Sequence, residues 1–324
     1  MNQNRSTMRK ASVIVLGSVN TDLVIRGERI PRPGETVLGG TFYRAAGGKG
    51  ANQAVAAARA STERVTFISA VGDDAFGHEA ISGFQIENLD PRFIRVVPKA
   101  ASGVALIVVD ATGENSIAVA SGANRELNPA DVDAVPEDVF ANARVFLACL
   151  ESRLETVERG LRRARAAGLT TILNPAPAGP LIGHLDVLEW VDVLTPNAGE
   201  AAMLLGMPAN QPSSGETTEF KAARELQRRG ARSVVVTLGS AGALVVGETS
   251  EHVPAVKTTP LDTTAAGDAF NGALAIALAE GRKLIDAVRW ATHAAAISVT
   301  REGARPSLAR REEIDASFTG HNDA

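Results

Sequence analysis

Short runs of β-branched and aliphatic residues alternate along this chain with alanine-rich stretches, and this alternation restricts the fold more than any other feature. Residues 13–16, 65–68, 145–148, 170–173, 191–194 and 233–236 read as strands buried on both faces. Residues 50–60, 155–167, 200–205, 219–229 and 268–280 read as the helices between them. Strands alternating with helices predict an α/β fold: a mostly parallel central sheet with helices on both faces, Rossmann-like in layout. The chain has 324 residues, 45% of them apolar, enough for one domain over residues 11–318. A chain of this length buries about three quarters of its surface on folding. The polar stretch 211–218 reads as a loop, and the polar residues 1–10 as a flexible tail.

Two stretches break the alternation. Residues 22–43 carry Pro31, Pro33, Gly34, Gly39 and Gly40 among β-type residues. Residues 103–120 form a hairpin pattern around the turn Thr112-Gly-Glu-Asn115. Together, residues of about 20–45 and 100–122 are expected to make a small antiparallel sheet that projects as a lid over the C-terminal edge of the main sheet. Its exposed edge invites pairing with a second copy, so a homodimer through the lids is expected.

The 37 acidic residues outnumber the 33 basic ones, for a net charge of −4, which points away from nucleic acid as a partner. The single cysteine, Cys149, excludes an internal disulfide and a cysteine zinc cluster. No window approaches the ~20 apolar residues of a membrane span, and the first apolar run is broken by Gly17 and Ser18 as no secretory signal is. A cytoplasmic protein that binds no membrane is the expectation.

The strongest chemical signal is Asp262-Thr-Thr-Ala-Ala-Gly-Asp268, followed by a helix with the apolar stripe Ala269, Phe270, Ala273, Leu274, Ala277, Leu278 and a terminal Gly281. Small residues before a helix leave its positive end open to an anion. Asp268 in the first turn is either a capping residue or a functional carboxylate, and two aspartates flanking five small residues favour function. Ala46-Gly-Gly-Lys-Gly-Ala-Asn52 also leads into a helix. It lacks the spacing of a Walker A loop, and no dinucleotide fingerprint follows the first strand, which disfavours a nicotinamide oxidoreductase. Asn20 and Asp22, two apart after that strand, can face adjacent hydroxyls or form an Asx turn. Asn197 and Glu200, three apart at a helix start, suit either a water-bridged Mg²⁺ or a capping box. Thr237-Leu-Gly-Ser-Ala-Gly242 by itself is a turn, and His293 is expected to be a packing residue.

Taken in order, Leu16-Gly-Ser-Val-Asn-Thr-Asp22, Pro33-Gly-Glu-Thr36, Gly47-Gly-Lys-Gly-Ala-Asn-Gln53, Gly72-Asp-Asp74, Asn174-Pro-Ala-Pro177, Thr237-Leu-Gly-Ser240, Asp262 to Asp268 and Val299-Thr-Arg-Glu-Gly-Ala-Arg-Pro-Ser307 resemble the ribokinase/PfkB family of ATP-dependent sugar kinases. The resemblance runs over about residues 13–314. It implies a kinase that phosphorylates the 5-hydroxyl of D-ribose. A kinase of the same fold for 2-deoxyribose, another sugar or a nucleoside is the alternative, with a catalytically silent sugar or nucleotide sensor behind it. It implies Asp268 as catalytic base and the N–H groups of Ala265, Ala266 and Gly267 as an anion hole. It implies sugar contacts at Asn20, Thr21, Asp22, Gly48, Lys49, Gly50, Asn52 and Glu151. It assigns the ATP site to Asn197, Thr237, Leu238, Gly239, Ser240, Ala241, Gly242, Gly267 and Thr292. It also implies Mg²⁺ near Glu200 through water, and a K⁺ site at Asp262, Thr264, Ser298, Arg301, Gly303 and Ser307, in part through backbone carbonyls. One departure is Ala265, where the broad family usually carries glycine; another is Ala198-Gly199 inside the Asn-x-x-Glu motif.

Overall fold

The computed structural model describes residues 12–207 and 216–322. The tail 1–10 and most of the loop 211–218 lie outside them. In chain order the strands are β1 Ser12–Leu16, β2 Asn20–Arg26, β3 Thr41–Gly47, β4 Val65–Gly72, β5 Leu89–Asp90, β6 Ile94–Val97, β7 Gly103–Val109, β8 Asn115–Ala120, β9 Ala143–Cys149, β10 Thr170–Asn174, β11 Val193–Leu194, β12 Ser233–Thr237, β13 Ala243–Val246 and β14 Ser250–Val253. The helices are α1 Lys49–Ala60, α2 Ala75–Ile86, α3 Pro129–Asp133, α4 Glu137–Asn142, α5 Leu154–Ala166, α6 Ala198–Leu204, α7 Thr218–Arg228, α8 Ala266–Ala279, α9 Leu284–Ser298 and α10 Arg311–Asn322.

The main sheet runs β14-β13-β12-β11-β10-β9-β1-β4-β5, with β6 also on β4. It is parallel from β12 to β5, and only β13 and β14 run antiparallel. Alternate side chains feed two cores. Val13, Val15, Phe67, Leu147 and Val235 pack with α1, α8 and α9 on one face. Ile14, Leu16, Phe146, Leu173 and Val236 pack with α5, α6 and α7 on the other. The strand expected at 191–194 is shorter: Asp192 turns its carboxylate back onto the N–H and hydroxyl of Thr171, both at 3.0 Å, so β11 begins at Val193.

Helices α1 and α8 lie on the same face and touch closely. A Cβ on Gly272 of α8 would sit 2.5 Å from Ala56 Cβ and 2.7 Å from Ala57 N, so only glycine fits there. Gly50 at the start of α1 is pressed against Gly17 in the same way, where a Cβ would meet its carbonyl carbon at 2.4 Å. The two helices therefore bring their N-termini to the C-terminal edge of the sheet, where an open α/β sheet binds its ligands.

The second sheet has the order β3-β2-β7-β8. Its outer pairs are antiparallel and its central pair, β2 with β7, is parallel. Registered partners share a face, so Asn20, Asp22 and Val24 lie with Ala45, Tyr43, Ala105, Ile107, Ile117 and Val119. Leu23 and Ile25 lie on the opposite face with Phe42 and Leu106. Both faces carry exposed apolar side chains: Phe42 is 60% exposed, Leu106 55% and Ile117 54%. None of the described helices is long and apolar enough to cross a membrane.

Candidate functional site

Asp268 occupies the first turn of α8 and is buried. It does not cap the helix. That position belongs to Ala265, which makes no side-chain bond and sits in the left-handed region at φ 60°. Such a conformation strains any residue with a Cβ, which accounts for the glycine usual there. The Asp268 carboxylate turns instead to α1. Its Oδ2 accepts from Asn52 Nδ2 at 3.1 Å and its Oδ1 from Gln53 Nε2 at 3.0 Å. Burial pushes its pKa up; Lys49, Asn52 and Gln53 pull the other way. Burial would lower the pKa of Lys49, but Asp268 and Glu151 outweigh it and the ammonium is held charged.

Glu151 accepts from the Lys49 N–H at 3.0 Å and from the Ser18 hydroxyl, so it fastens the start of α1 to the ends of β1 and β9. Asn20 and Asp22 begin β2 rather than forming a turn, and point the same way. Thr21, between them, faces the opposite side of the sheet, and Gly50 is spent on packing against Gly17. Asn20 Oδ1 accepts from Asn124 Nδ2 at 2.8 Å, and Asn124 also pairs with both backbone groups of Val19. Gly48, at φ 90°, leads from β3 into α1 across the chain at 18–20. Arg305, beneath this turn, donates to the Gly47 carbonyl at 2.9 Å and stacks over Phe84.

On the other side of the α8 N-terminus lies a cavity of about 450 Å³. Thr237, Gly239, Ser240, Gly242, Gly267 and Thr292 line it together. Leu238, Ala241 and Asn197 do not line it. Its other walls are the segment 255–258 with Pro260 and Thr263, Ala266 and Phe270 from α8, Ala295 and Ala296 from α9, and Val299 just after it. The Gly267 peptide thus lies between this cavity and the Asp268 carboxylate.

Asn197 and Glu200 form a full capping box on α6: Asn197 Oδ1 accepts from Glu200 N at 2.8 Å, and Glu200 Oε2 accepts from Asn197 N at 2.9 Å. Glu200 still feels Lys49 and Asp268, and burial raises its pKa. Asp262 joins two loops. Its Oδ1 accepts from Thr264 N at 2.9 Å and its Oδ2 from Gly303 N at 2.8 Å. Ser298 and Ser307 donate to nearby carbonyls, and the Arg301 side chain leaves the loop to pair with Glu313. His293 packs edge-on against Phe318 and bonds Ser317, away from the cavity.

Gln53, Asn124, Asn174, Asn271 and Arg305 belong to this site without having been assigned a role from sequence. Gln53 stood inside the Gly47 to Gln53 motif and Asn174 opened another, which were their only signals. Arg305 stood inside the Val299 to Ser307 motif, Asn271 follows Asp268 by one turn of α8, and Asn124 comes from a distant part of the chain with nothing local to mark it.

Comparison with known proteins gives a consistent picture. The profile of the pfkB family of carbohydrate kinases matches residues 10–311. A ribokinase of Schizosaccharomyces pombe is 40% identical over 314 residues, covering 95% of this chain and 98% of that one. A deoxyribokinase of Salmonella typhi is 35% identical over 306 residues, covering 94% of this chain and 97% of that one. The structure of Arabidopsis thaliana ribokinase complexed with ribose and ATP superposes with a TM-score of 0.83 at 29% identity, over 96% of this chain and 99% of that one.

Asp22 yields a test that needs no ligand. Its carboxyl is pushed from 3.8 up to about 6, first by burial, then by Glu151, with Arg305 opposing and Asp268 adding. Between those two values the folded chain keeps a proton that the unfolded chain has lost, so this group's contribution to stability falls as pH rises through that window. Thermal melts of wild type and Asp22→Asn from pH 4 to pH 7 should diverge, with the variant melting higher at pH 7. Parallel curves would show that the carboxyl is not held in this environment.

Proposed function

The chain belongs to the pfkB family of carbohydrate kinases, and from that premise we propose that it transfers the γ-phosphoryl of ATP to the 5-hydroxyl of D-ribose, releasing ribose 5-phosphate and ADP. One observation carries the site reading: a buried carboxylate, oriented by two amides, sits three residues into a helix whose N-terminus opens on a cavity the size of a nucleoside.

In this reading the sugar lies between Asn20 and Asp22 on the small sheet and Lys49 and Asn52 on α1, with its primary hydroxyl at Asp268. The new bond forms from that oxygen to the γ-phosphorus, the bond from phosphorus to the bridging β-oxygen breaks, and the proton passes to Asp268. Such a transfer has a loose transition state, so positioning and charge neutralisation dominate. Base assistance is typically worth ~10²–10⁴ in rate. The N–H groups of Ala265 and Gly267, and that of Ala266 on giving up its 3.3 Å bond to the Thr263 carbonyl, are the donors for the transferring phosphoryl group in this reading, and a preorganised donor contributes roughly 3–4 kcal/mol. The apolar walls at Val256, Pro260, Phe270 and Ala295 suit an adenine ring, with Thr237, Ser240 and Thr292 supplying polar contacts.

The metal assignments rest on the donors present. Among the described residues no three acidic, histidine or cysteine side chains gather into a cage. Mg²⁺ would therefore arrive on the nucleotide phosphates, with the Glu200 oxygen not engaged by Asn197 reaching it through water and the ion neutralising phosphate charge. The loops joined by Asp262 offer one negative charge, the Ser298 and Ser307 hydroxyls and backbone carbonyls at Thr264, Arg301 and Gly303, an oxygen set suited to K⁺. A K⁺ ion there would adjust the anion loop electrostatically.

In this reading the small sheet acts as a lid that excludes water, and the exposed apolar side chains on both its faces support a contact there with a second copy of this chain. The enzyme works in the cytoplasm. A 2-deoxyribose kinase is the rival reading, in keeping with the deoxyribokinase relative; polar groups at Asn20 and Asp22 left unpaired would penalise that acceptor.

Two measurements test this. ADP release from Mg-ATP should be strong with ribose, weaker with 2-deoxyribose and absent with fructose or adenosine, and higher in K⁺ than in Na⁺. Preference for another acceptor would move the substrate, and equal rates in both salts would remove the K⁺ site. In sedimentation the wild type should be a dimer at micromolar concentration, and Phe42→Asp with Leu106→Asp should be a monomer. A monomeric wild type would contradict the lid contact.

A further inference from the structure

A buried ring of hydrogen bonds runs from the Asp268 carboxylate back to the peptide that precedes it. Gln53 Nε2 donates to Asp268 Oδ1 and to Asn174 Oδ1, both at 3.0 Å. Asn174 Nδ2 donates to the Thr195 carbonyl at 2.8 Å. The Thr195 hydroxyl donates to Asn271 Oδ1 at 2.6 Å, and Asn271 Nδ2 donates to the Gly267 carbonyl at 2.8 Å. That carbonyl belongs to the peptide whose nitrogen is Asp268. The five residues whose side chains form the ring, Gln53, Asn174, Thr195, Asn271 and Asp268, are each at least nine-tenths buried, and Gln53 is wholly so; the Gly267 backbone at its end is exposed.

The direction of each bond is dictated by two backbone carbonyls, which can only accept. The Thr195 carbonyl forces Asn174 to present its nitrogen there, which leaves Oδ1 facing Gln53. Gln53 must then present its nitrogen, and its second hydrogen goes to Asp268. The Gly267 carbonyl fixes Asn271 in the same way and makes the Thr195 hydroxyl a donor. Gln53 Oε1 is left buried without a partner among the described residues. An amide serving only its own packing would avoid that cost of about 1–3 kcal/mol. The orientation serves the carboxylate.

We propose that Gln53, anchored through Asn174, Thr195 and Asn271, is a positioning residue for the phosphoryl transfer: it holds the Asp268 carboxylate ionised and in register with the Gly267 peptide. The proposal rests on the reading of Asp268 as the base and adds to it how the base is held. Gln53 is wholly buried and acts through Asp268. The charged groups around Asp268 are Lys49 on α1, Glu151 after β9, Asp22 on β2 and Glu200 on α6, and the ring leaves all four in place.

The test is single-turnover phosphoryl transfer by Gln53→Met, which keeps the volume and removes the donor. Misplacing a reacting group by about 1 Å can cost ~10²-fold, so the transfer rate should fall by about that factor. Calorimetric affinities for ribose and ATP should stay within about threefold, since uniform binding is untouched. The acid limb of the rate should move to higher pH, because the ionised carboxylate has lost a donor. Asn174→Ser leaves Gln53 and Asp268 in place and cuts only the anchor; a smaller loss with an acid-limb shift of the same sign is expected, and this variant decides the matter if Gln53→Met does not fold. An unchanged rate, a slower rate with an unmoved acid limb, or lost ribose binding with transfer intact would overturn the proposal. Absence of kinase activity in the wild type would instead refute the functional reading beneath it.

Discussion

An ionised carboxylate shut away from water needs donors in fixed places, and Asp268 draws its two from a neighbouring helix. Everything that brings α1 to α8 is therefore in the service of that group. The approach is close because Gly272 presents no side chain to Ala56 and Ala57 of α1. The same packing aligns both helix N-termini at the sheet edge, where the strand ends supply Glu151, Asn174 and Thr195.

The remainder of the site is arranged around that pair of helices. Glu151 and Ser18 secure the head of α1, and Arg305 secures the turn before it. Asp262 ties together the loops before α8 and after α9. The strained backbone at Ala265 sits where those constraints converge, and it is tolerated because the loop and helix on either side define its path. In the proposed reading, sugar and nucleotide meet across one peptide, Gly267, with the small sheet closing from the side that carries Asn20 and Asp22.

The layered fold was legible in the sequence because parallel strands buried on both faces read as short apolar runs between amphipathic helices. The site was legible in part. Asp268, Lys49 and Asn52 announced themselves through small-residue motifs at helix starts. Gln53 closes the same motif as Lys49 and Asn52, but its role stayed unread, since its meaning lies in a partner 215 positions away and periodicity carries no information about such pairings. Asn124 is hidden for the same reason, reaching Asn20 across 104 positions. The hairpin pattern at 103–120 reported the local pairing of β7 with β8, while the parallel contact of β7 with β2 is set by the tertiary fold. Thr21 shows the opposite limit: a motif names neighbours together, but strand alternation turns the middle residue away.

The central claim is that Asp268 acts in the reaction as a base and is not a structural carboxylate. Paired measurements on Asp268→Asn test it most directly, with ribose affinity by calorimetry beside turnover. The neutral amide keeps the shape, so affinity should stay within a few-fold while turnover falls by about 10²–10⁴. Turnover near that of the wild type would contradict the account.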